Sequence, residues 1–188
     1  MKTLIGIHGP LNGGKDTVAN YIINMCKTIS GPPRYKRYSF AKPLKEACKI
    51  MFGFSDQQIE DRVLKEAIDP FWGFSPRKAM QLLGTEYGRN MLRKDIWIRR
   101  AALEVEQNTI LGIGTIITDV RFQNEADWLR AQPNSMLIYI EVPGLIRDDK
   151  YQHESEDGIS RCETDSVIIN DKSLGLKNLY DQIDRIRI

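Results

Sequence analysis

The stretch Gly9-Pro-Leu-Asn-Gly-Gly-Lys-Asp-Thr17 constrains this chain more than any other part of it. It follows at once on a short apolar run carrying Leu4, Ile5 and Ile7. It leads into a segment in which Val18, Tyr21, Ile22, Met25 and Ile29 recur at helical spacing. The pattern predicts a buried strand over 1–8, a glycine-rich turn, and a helix with one face on a sheet. In such a turn successive backbone N–H groups point inward, and the positive end of the helix adds to their pull on an anion. Residues 9–15 match G-x-x-x-x-G-K, the first seven positions of the phosphate-binding P-loop pattern.

Gly9, Asn12, Gly13, Gly14, Lys15, Asp16 and Thr17 are therefore the candidate nucleotide-binding set, with Lys15 reaching the β- and γ-phosphates of ATP. The eighth position departs from the pattern. Asp16 stands where a Ser or Thr would ligate Mg²⁺, and Thr17 follows one residue later. Either Thr17 supplies the hydroxyl from a shifted register, or Asp16 holds the ion, through water if not directly.

Strands alternate with helices along the rest of the chain. Tyr35–Phe40, Gly114–Val120, Met136–Val142 and Ser166–Asn170 read as further strands, with helices over Asn124–Ala131 and Leu174–Ile186. Between the second and third strands, residues 42–107 read as helical: Pro43–Phe52, Asp56–Ala67, Pro76–Leu92 and Ile96–Glu106. Ser75 and Asp95 are plausible caps for the last two. The expected fold class is α/β: a single domain over 1–188 with about five strands, mostly parallel, covered by helices. The helical stretch is expected to be an insertion over that sheet.

Composition excludes several function classes. Lys plus Arg numbers 27 against 25 acidic residues, which argues against nucleic acid as the main partner. The cysteines, Cys26, Cys48 and Cys162, are odd in number and lack a CxxC spacing, which fits a reducing compartment. No apolar run approaches the roughly 20 residues that span a bilayer, so a cytoplasmic location without membrane contact is expected. The short chain and balanced charge also speak against a nucleic-acid motor. A non-catalytic nucleotide-binding regulator stays open at this point.

The chain resembles the deoxynucleoside monophosphate kinases of bacteriophages along nearly its whole length. The resemblance rests on GPLNGGKDT, SFAKPLK at Ser39–Lys45, LLGTEYGRNMLRKDIW at Leu82–Trp97, ITDVRFQNEAD at Ile117–Asp127, HESE at His153–Glu156 and VIINDKSLGLKNLYDQI. It implies a P-loop kinase fold, ATP with Mg²⁺ as donor, and a deoxynucleoside 5′-monophosphate as acceptor, the helical insertion binding the acceptor. The GKD loop also occurs in animal-type phosphomevalonate kinases, which with dephospho-CoA kinases share the loop logic but offer a different acceptor. The second segment more often reads FADPLK, so Lys42 replaces an acidic residue of the pattern.

Phosphoryl transfer needs positioning and positive charge around the migrating group. Asp119-Val-Arg121 ends the third strand and looks like a compressed form of the Asp-x-x-x-Arg stretch of adenylate kinases. Asp119 could then hold Mg²⁺ through water and Arg121 the acceptor phosphate, or the two could belong to a strand-end ion pair with Glu125. Arg77, Gln81, Thr85 and Arg89 recur every four residues, as either a solvated face or an acceptor-binding one, with Met80, Leu83 and Tyr87 towards a core. Phe40 could stack on the acceptor base or fill a core. Asp95 reads as cap or as a contact with sugar or base, and Trp97 as core or acceptor contact. Arg147, Lys150, His153 and Arg161 lie in a polar stretch over 145–163 that reads as a lid or as a plain solvated loop. On the lid reading Arg147 joins Lys15 and Arg121 in catalysis. Asn170 would border the adenine. The insertion also offers a surface on which two chains could pair.

Overall fold

A computed structural model describes residues 2–27, 33–144 and 158–188. The expectations for Arg147, Lys150 and His153, and most of the lid over 145–163, lie outside the described residues. The chain divides into two compact units, residues 1–39 with 101–188, and residues 40–100.

The first unit is built on five strands: β1 (Leu4–His8), β2 (Tyr35–Tyr38), β3 (Gly114–Ile117), β4 (Ser135–Glu141) and β5 (Ser166–Ile169). Their order is β2-β3-β1-β4-β5, and every pairing is parallel. The expected five strands are present, and "mostly parallel" becomes wholly so. All five residues of β1 are buried, as a central strand covered on both faces requires.

The two faces follow from the two-residue repeat of a strand. Ile5 and Ile7 join Val18, Ala19 and Ile22 of α1 (Lys15–Met25) and Leu179 and Ile183 of α8 (Gly175–Asp184) in one core. Gly6, between them, points the other way. A Cβ there would lie 2.2 Å from Leu129 of α7 (Gln123–Arg130), so the missing side chain is what lets that helix settle on the sheet.

The second unit is helical: α2 (Lys42–Phe52), α3 (Asp56–Glu60), α4 (Arg62–Glu66) and α5 (Pro76–Gln81), then a π-wound helix over Leu82–Leu92. Helix α6 (Ile96–Ile110) is shared with the first unit. Cys48, Phe54, Ile59 and Ala79 form the core, with Leu44, Phe52 and Phe74 packed around it. Burial pushes the Cys48 thiol up to about 11.

Two sequence expectations are corrected here. The single helix over Asp56–Ala67 is broken at Asp61, whose backbone is extended and whose carboxylate accepts from the N–H groups of Val63 and Leu64, both at 2.9 Å. Asp61 thus starts a new helix instead of continuing the old one. The helix over Pro76–Leu92 does begin at Ser75, whose hydroxyl accepts from Lys78 N at 3.2 Å, but it changes winding after Gln81.

Candidate active site

Strand β1 lies at the centre of the sheet, with the chain turning to β2 and β3 on one side and to β4 and β5 on the other. Its carboxyl end is the switch point where open parallel sheets bind ligands, and the Gly9–Gly14 loop leaves from there. Gly13 N donates to Pro10 O at 2.9 Å, which closes the turn. Asn12 has φ 62°, a left-handed conformation that asparagine tolerates better than most residues. Gly14 stands at φ 90° before the first turn of α1, and a Cβ there would come within 2.7 Å of Asn170 Nδ2. Both backbone and space demand glycine at that position.

Lys15 Nζ donates to Gly9 O at 2.8 Å and Pro10 O at 2.7 Å, which holds the ammonium across the loop's own carbonyls. A phosphate oxygen replacing either carbonyl would make the stronger, charge-assisted bond. Asp16 pairs with Arg37 of β2, both side chains being substantially exposed. Its carboxylate therefore has an occupation on the neighbouring strand. Thr17, half-buried, is the next residue in the same turn.

Residues 118–121 are bound to the strands on either side of β3. Thr118 N donates to Tyr38 O at 3.2 Å and Val120 N to Ile7 O at 3.3 Å. His8 Nδ1 lies 2.8 Å from Val120 O, and since a carbonyl can only accept, that nitrogen carries the proton. Asp119, half-buried, is thereby fixed beside the strand from which the loop departs. Glu125, 1% exposed, accepts from the N–H groups of Arg121 at 2.9 Å and Phe122 at 3.1 Å. The carboxylate expected in a side-chain pair with Arg121 thus anchors the backbone that carries it. The sequence signalled this only through the spacing of an acid three residues into a helix.

Among the described residues no group of three or more His, Cys, Asp or Glu could hold a metal ion. Mg²⁺ in a nucleotide site takes most of its ligands from phosphates and water and one or two oxygens from the protein. The Thr17 hydroxyl and the Asp119 carboxylate fit that donor set.

Asn170 Nδ2 donates to Gly13 O at 2.9 Å, and its own N–H donates to Glu141 O at 2.8 Å. The residue expected to border the adenine is tied to the loop itself, a link no motif signalled.

In the second unit, the π-wound segment carries the residues singled out on the four-residue stripe. Arg93 N donates to Gly88 O at 2.9 Å, five residues back. This wider winding gathers residues four and five apart on one face: Gly84, Thr85, Gly88 and Arg89 are all buried. Thr85 and Arg89 are 7% and 8% exposed, whereas Tyr87 is 50% exposed. Of the two alternatives for the stripe, a solvated face does not hold for Thr85 and Arg89, and the core placement of Tyr87, which assumes the α-helical period, is corrected.

Leu44 and Trp97 explain the two glycines: a Cβ on Gly84 would lie 2.8 Å from Leu44 Cδ2. Trp97 Nε1 donates to Gly84 O at 2.8 Å, and a Cβ on Gly88 would lie 2.9 Å from the indole Cζ2. Arg89 Nη1 reaches Lys94 O at 3.4 Å. Asp95 accepts from Arg93 Nε at 2.5 Å and Arg99 Nε at 3.0 Å. The Arg93 guanidinium, with Arg99 behind it, holds that carboxyl below the usual carboxylate range. Arg77 pairs with Glu66. Gln81 is half-buried at the end of α5, Lys42 is exposed at the start of α2, and Phe40 is 4% exposed. Of the cations named over 145–163, Arg161 is described, and its Nη1 pairs with Glu141 at 3.1 Å.

The chain is similar to proteins of viral origin. A protein of Acanthamoeba polyphaga mimivirus, provisionally named a deoxynucleotide monophosphate kinase, is 35% identical over 96% of this chain and 93% of its own length. The deoxynucleoside-5′-monophosphate kinase of Escherichia phage T5 is 28% identical over 95% of this chain and 93% of its own. The deoxynucleotide monophosphate kinase of Escherichia phage RB69 is 34% identical over 65% of this chain and 49% of its own. The family model for deoxynucleotide monophosphate kinases matches residues 54–183. With a parallel sheet ordered 2-3-1-4-5 and a phosphate loop at its central strand, this chain belongs to the deoxynucleotide monophosphate kinase family.

Proposed function

We propose that the chain moves the γ-phosphoryl group of ATP onto the 5′-phosphate of a deoxynucleoside monophosphate, giving the diphosphate and ADP, through the residues described above. The observation that carries this reading is the Gly9–Thr17 loop at the carboxyl end of β1, with Lys15 Nζ laid across its carbonyls. Gly9, Asn12, Gly13, Gly14 and Lys15 would bind the β- and γ-phosphates through backbone N–H groups and the ammonium. Thr17 and Asp119 would hold Mg²⁺, which, when bound, neutralises charge on the phosphates. Arg121 would bind the acceptor phosphate and offset the charge that accumulates during transfer.

The acceptor roles fall to residues 40–100. Arg89, buried in the π-wound segment, and Gln81 would hold the acceptor, with Arg77, Asp95 and Lys42 as further polar contacts. Trp97 would act by packing on Gly88, and Phe40, being buried, by shaping the base's surroundings. No general base is required: a phosphate monoester has its second pKa near 6 and is already anionic at neutral pH. His153 would therefore bind and not deprotonate, and Arg147 would close on the phosphates to exclude water, which otherwise competes as acceptor.

Among the described residues no helix is long and apolar enough to cross a membrane. Ile50 and Phe71, each 84% exposed on the second unit, support pairing of two chains, and light scattering on the purified protein tests it.

ADP release from ATP and Mg²⁺ tests the function. The acceptor panel holds the four deoxynucleoside monophosphates, their ribo forms, phosphomevalonate and dephospho-CoA, with Lys15→Ala as the blank. Turnover with a deoxynucleotide, lost in the blank, is the expected outcome. Turnover with phosphomevalonate or dephospho-CoA alone would sink the acceptor assignment.

A further inference from the structure

The end of the sheet opposite the Gly9–Gly14 loop carries a cluster of cationic side chains around a cavity. Ser135 begins β4 and pairs with Leu4 at the amino end of β1, while the loop departs beyond the His8–Tyr139 pairing. Four residues separate the two levels, about 13 Å of strand. At the amino-terminal end an open cavity of about 720 Å³ lies between the starts of β4 and β5 and the residues that follow α8. That volume is within the range of roughly 300–1,000 Å³ in which small-molecule sites fall.

Its lining separates into an apolar floor and a charged rim. Met136 and Ile186 contribute apolar surface, with Val167 beside them. Lys2, Arg130, Arg185 and Arg187 supply positive charge, and Asp165 is the acidic residue among the lining groups. That carboxylate is already committed. It accepts from Arg130 Nη2 at 2.7 Å and Nε at 3.0 Å and from Cys162 N at 2.7 Å, and its side chain is 1% exposed. Arg130 and Asp165 neutralise each other, which leaves Lys2, Arg185 and Arg187 uncompensated. Lys2 Nζ donates to Ser135 O at 2.7 Å, a neutral partner that holds the ammonium at the rim without cancelling its charge. Among the described residues neither Arg185 nor Arg187 has an ion-pair partner.

The geometry points to a binding site for an organic polyphosphate of nucleotide size, separate from the donor site at the loop. The phosphates lie against Lys2, Arg185 and Arg187, where planar guanidinium groups can each offer two parallel donors to phosphate oxygens. The base and sugar lie on Met136 and Ile186. Three like charges held around one cavity repel one another when it is empty, so a polyanion is favoured over a neutral ligand.

The test uses the full chain with ¹³C-labelled methionine and isoleucine methyl groups and dATP as the probe. Met136 and Ile186 line the cavity, so their methyl signals report on it directly. Titration with dATP is expected to shift both signals saturably in the wild type and in Lys15→Ala. Arg185→Glu with Arg187→Glu is expected to weaken that response about tenfold or more, since charge reversal replaces attraction by repulsion. The same double variant is expected to turn over substrate at the wild-type rate, which shows it folded, and Gln at both positions is expected to give a smaller weakening in the same direction. Immobile Met136 and Ile186 signals in the wild type overturn the site. So does a shift that survives in both double variants.

Discussion

Asn170 Nδ2 donates to the carbonyl of Gly13 at 2.9 Å, and so a residue at the end of β5 fixes the shape of a loop that follows β1. Gly14, against which the same amide packs, has no room for a side chain. Asn170→Ala removes one hydrogen bond, about 1 kcal/mol, and is expected to raise the KM for ATP about fivefold with a smaller effect on kcat. Asn170→Asp sets a carboxylate against the Gly13 carbonyl and near incoming phosphates, and is expected to be worse than alanine. Steady-state kinetics on both variants decide the matter; unchanged KM in each would remove the brace from the argument.

The pairing of Asp16 with Arg37 separates the two candidate magnesium ligands at the start of α1. Thr17→Val, which keeps the shape and removes the hydroxyl, is expected to raise the Mg²⁺ concentration needed for half-maximal rate by about tenfold or more. Asp16→Ala is expected to leave that concentration within about twofold, because the carboxylate faces β2 and exposed ion pairs contribute little. Titrating Mg²⁺ at fixed ATP measures both, and the reverse ranking would return the ion to Asp16.

Gly88 packs beneath the indole of Trp97. Gly88→Ala forces the ring or the backbone to shift and is expected to destabilise the chain by about 1–3 kcal/mol, the usual cost of overpacking. Urea unfolding reads this directly. A Gly88→Ala protein with the wild-type midpoint would mean that the indole is free to move aside.

Asp95 ionises below the usual carboxylate range because Arg93, and then Arg99, bond its charged form. A carboxyl depressed in the folded state stabilises the fold above its unfolded pKa, and that contribution is lost as pH falls through the depressed folded value. Carbonyl-carbon NMR of Asp95 is expected to show titration below an ordinary aspartate, moving back up in Arg93→Ala. No movement in that variant would show that the pair is not what holds the proton off.

The fold was legible because its signals are local. A strand, a glycine-rich turn and a helix are written consecutively over 1–25, and the four later strands each stand as short apolar runs between breaks. Two things were not legible. The break at Asp61 depends on a side chain choosing to cap a new helix instead of extending the old one, and the sequence allows both. The winding of Leu82–Leu92 escaped for a deeper reason: positions were sorted by an α-helical period the segment does not have. An α-helical period turns Tyr87 inward, and it is half exposed; for Arg89 the sequence leaves open what covers its face, and the residue is buried. The phosphate loop was found from its pattern, whereas Asn170 and Glu125, which hold that loop and the Arg121 backbone, act through contacts across more of the chain or through a backbone N–H.

A helix wound with five-residue hydrogen-bond steps carries more chain per unit of length than its α-helical neighbours, so Leu82–Leu92 stores surplus sequence inside a regular element. Its response to shortening should be unlike that of a loop. Removing one residue there offers the backbone an α-helical ladder in exchange, so the helix would survive while Gly88 and Arg89 rotate away from the side on which they now lie. For this chain, length within that segment is a heritable setting of which residues face inward, and a one-residue deletion would alter the presentation of Arg89 more than many substitutions.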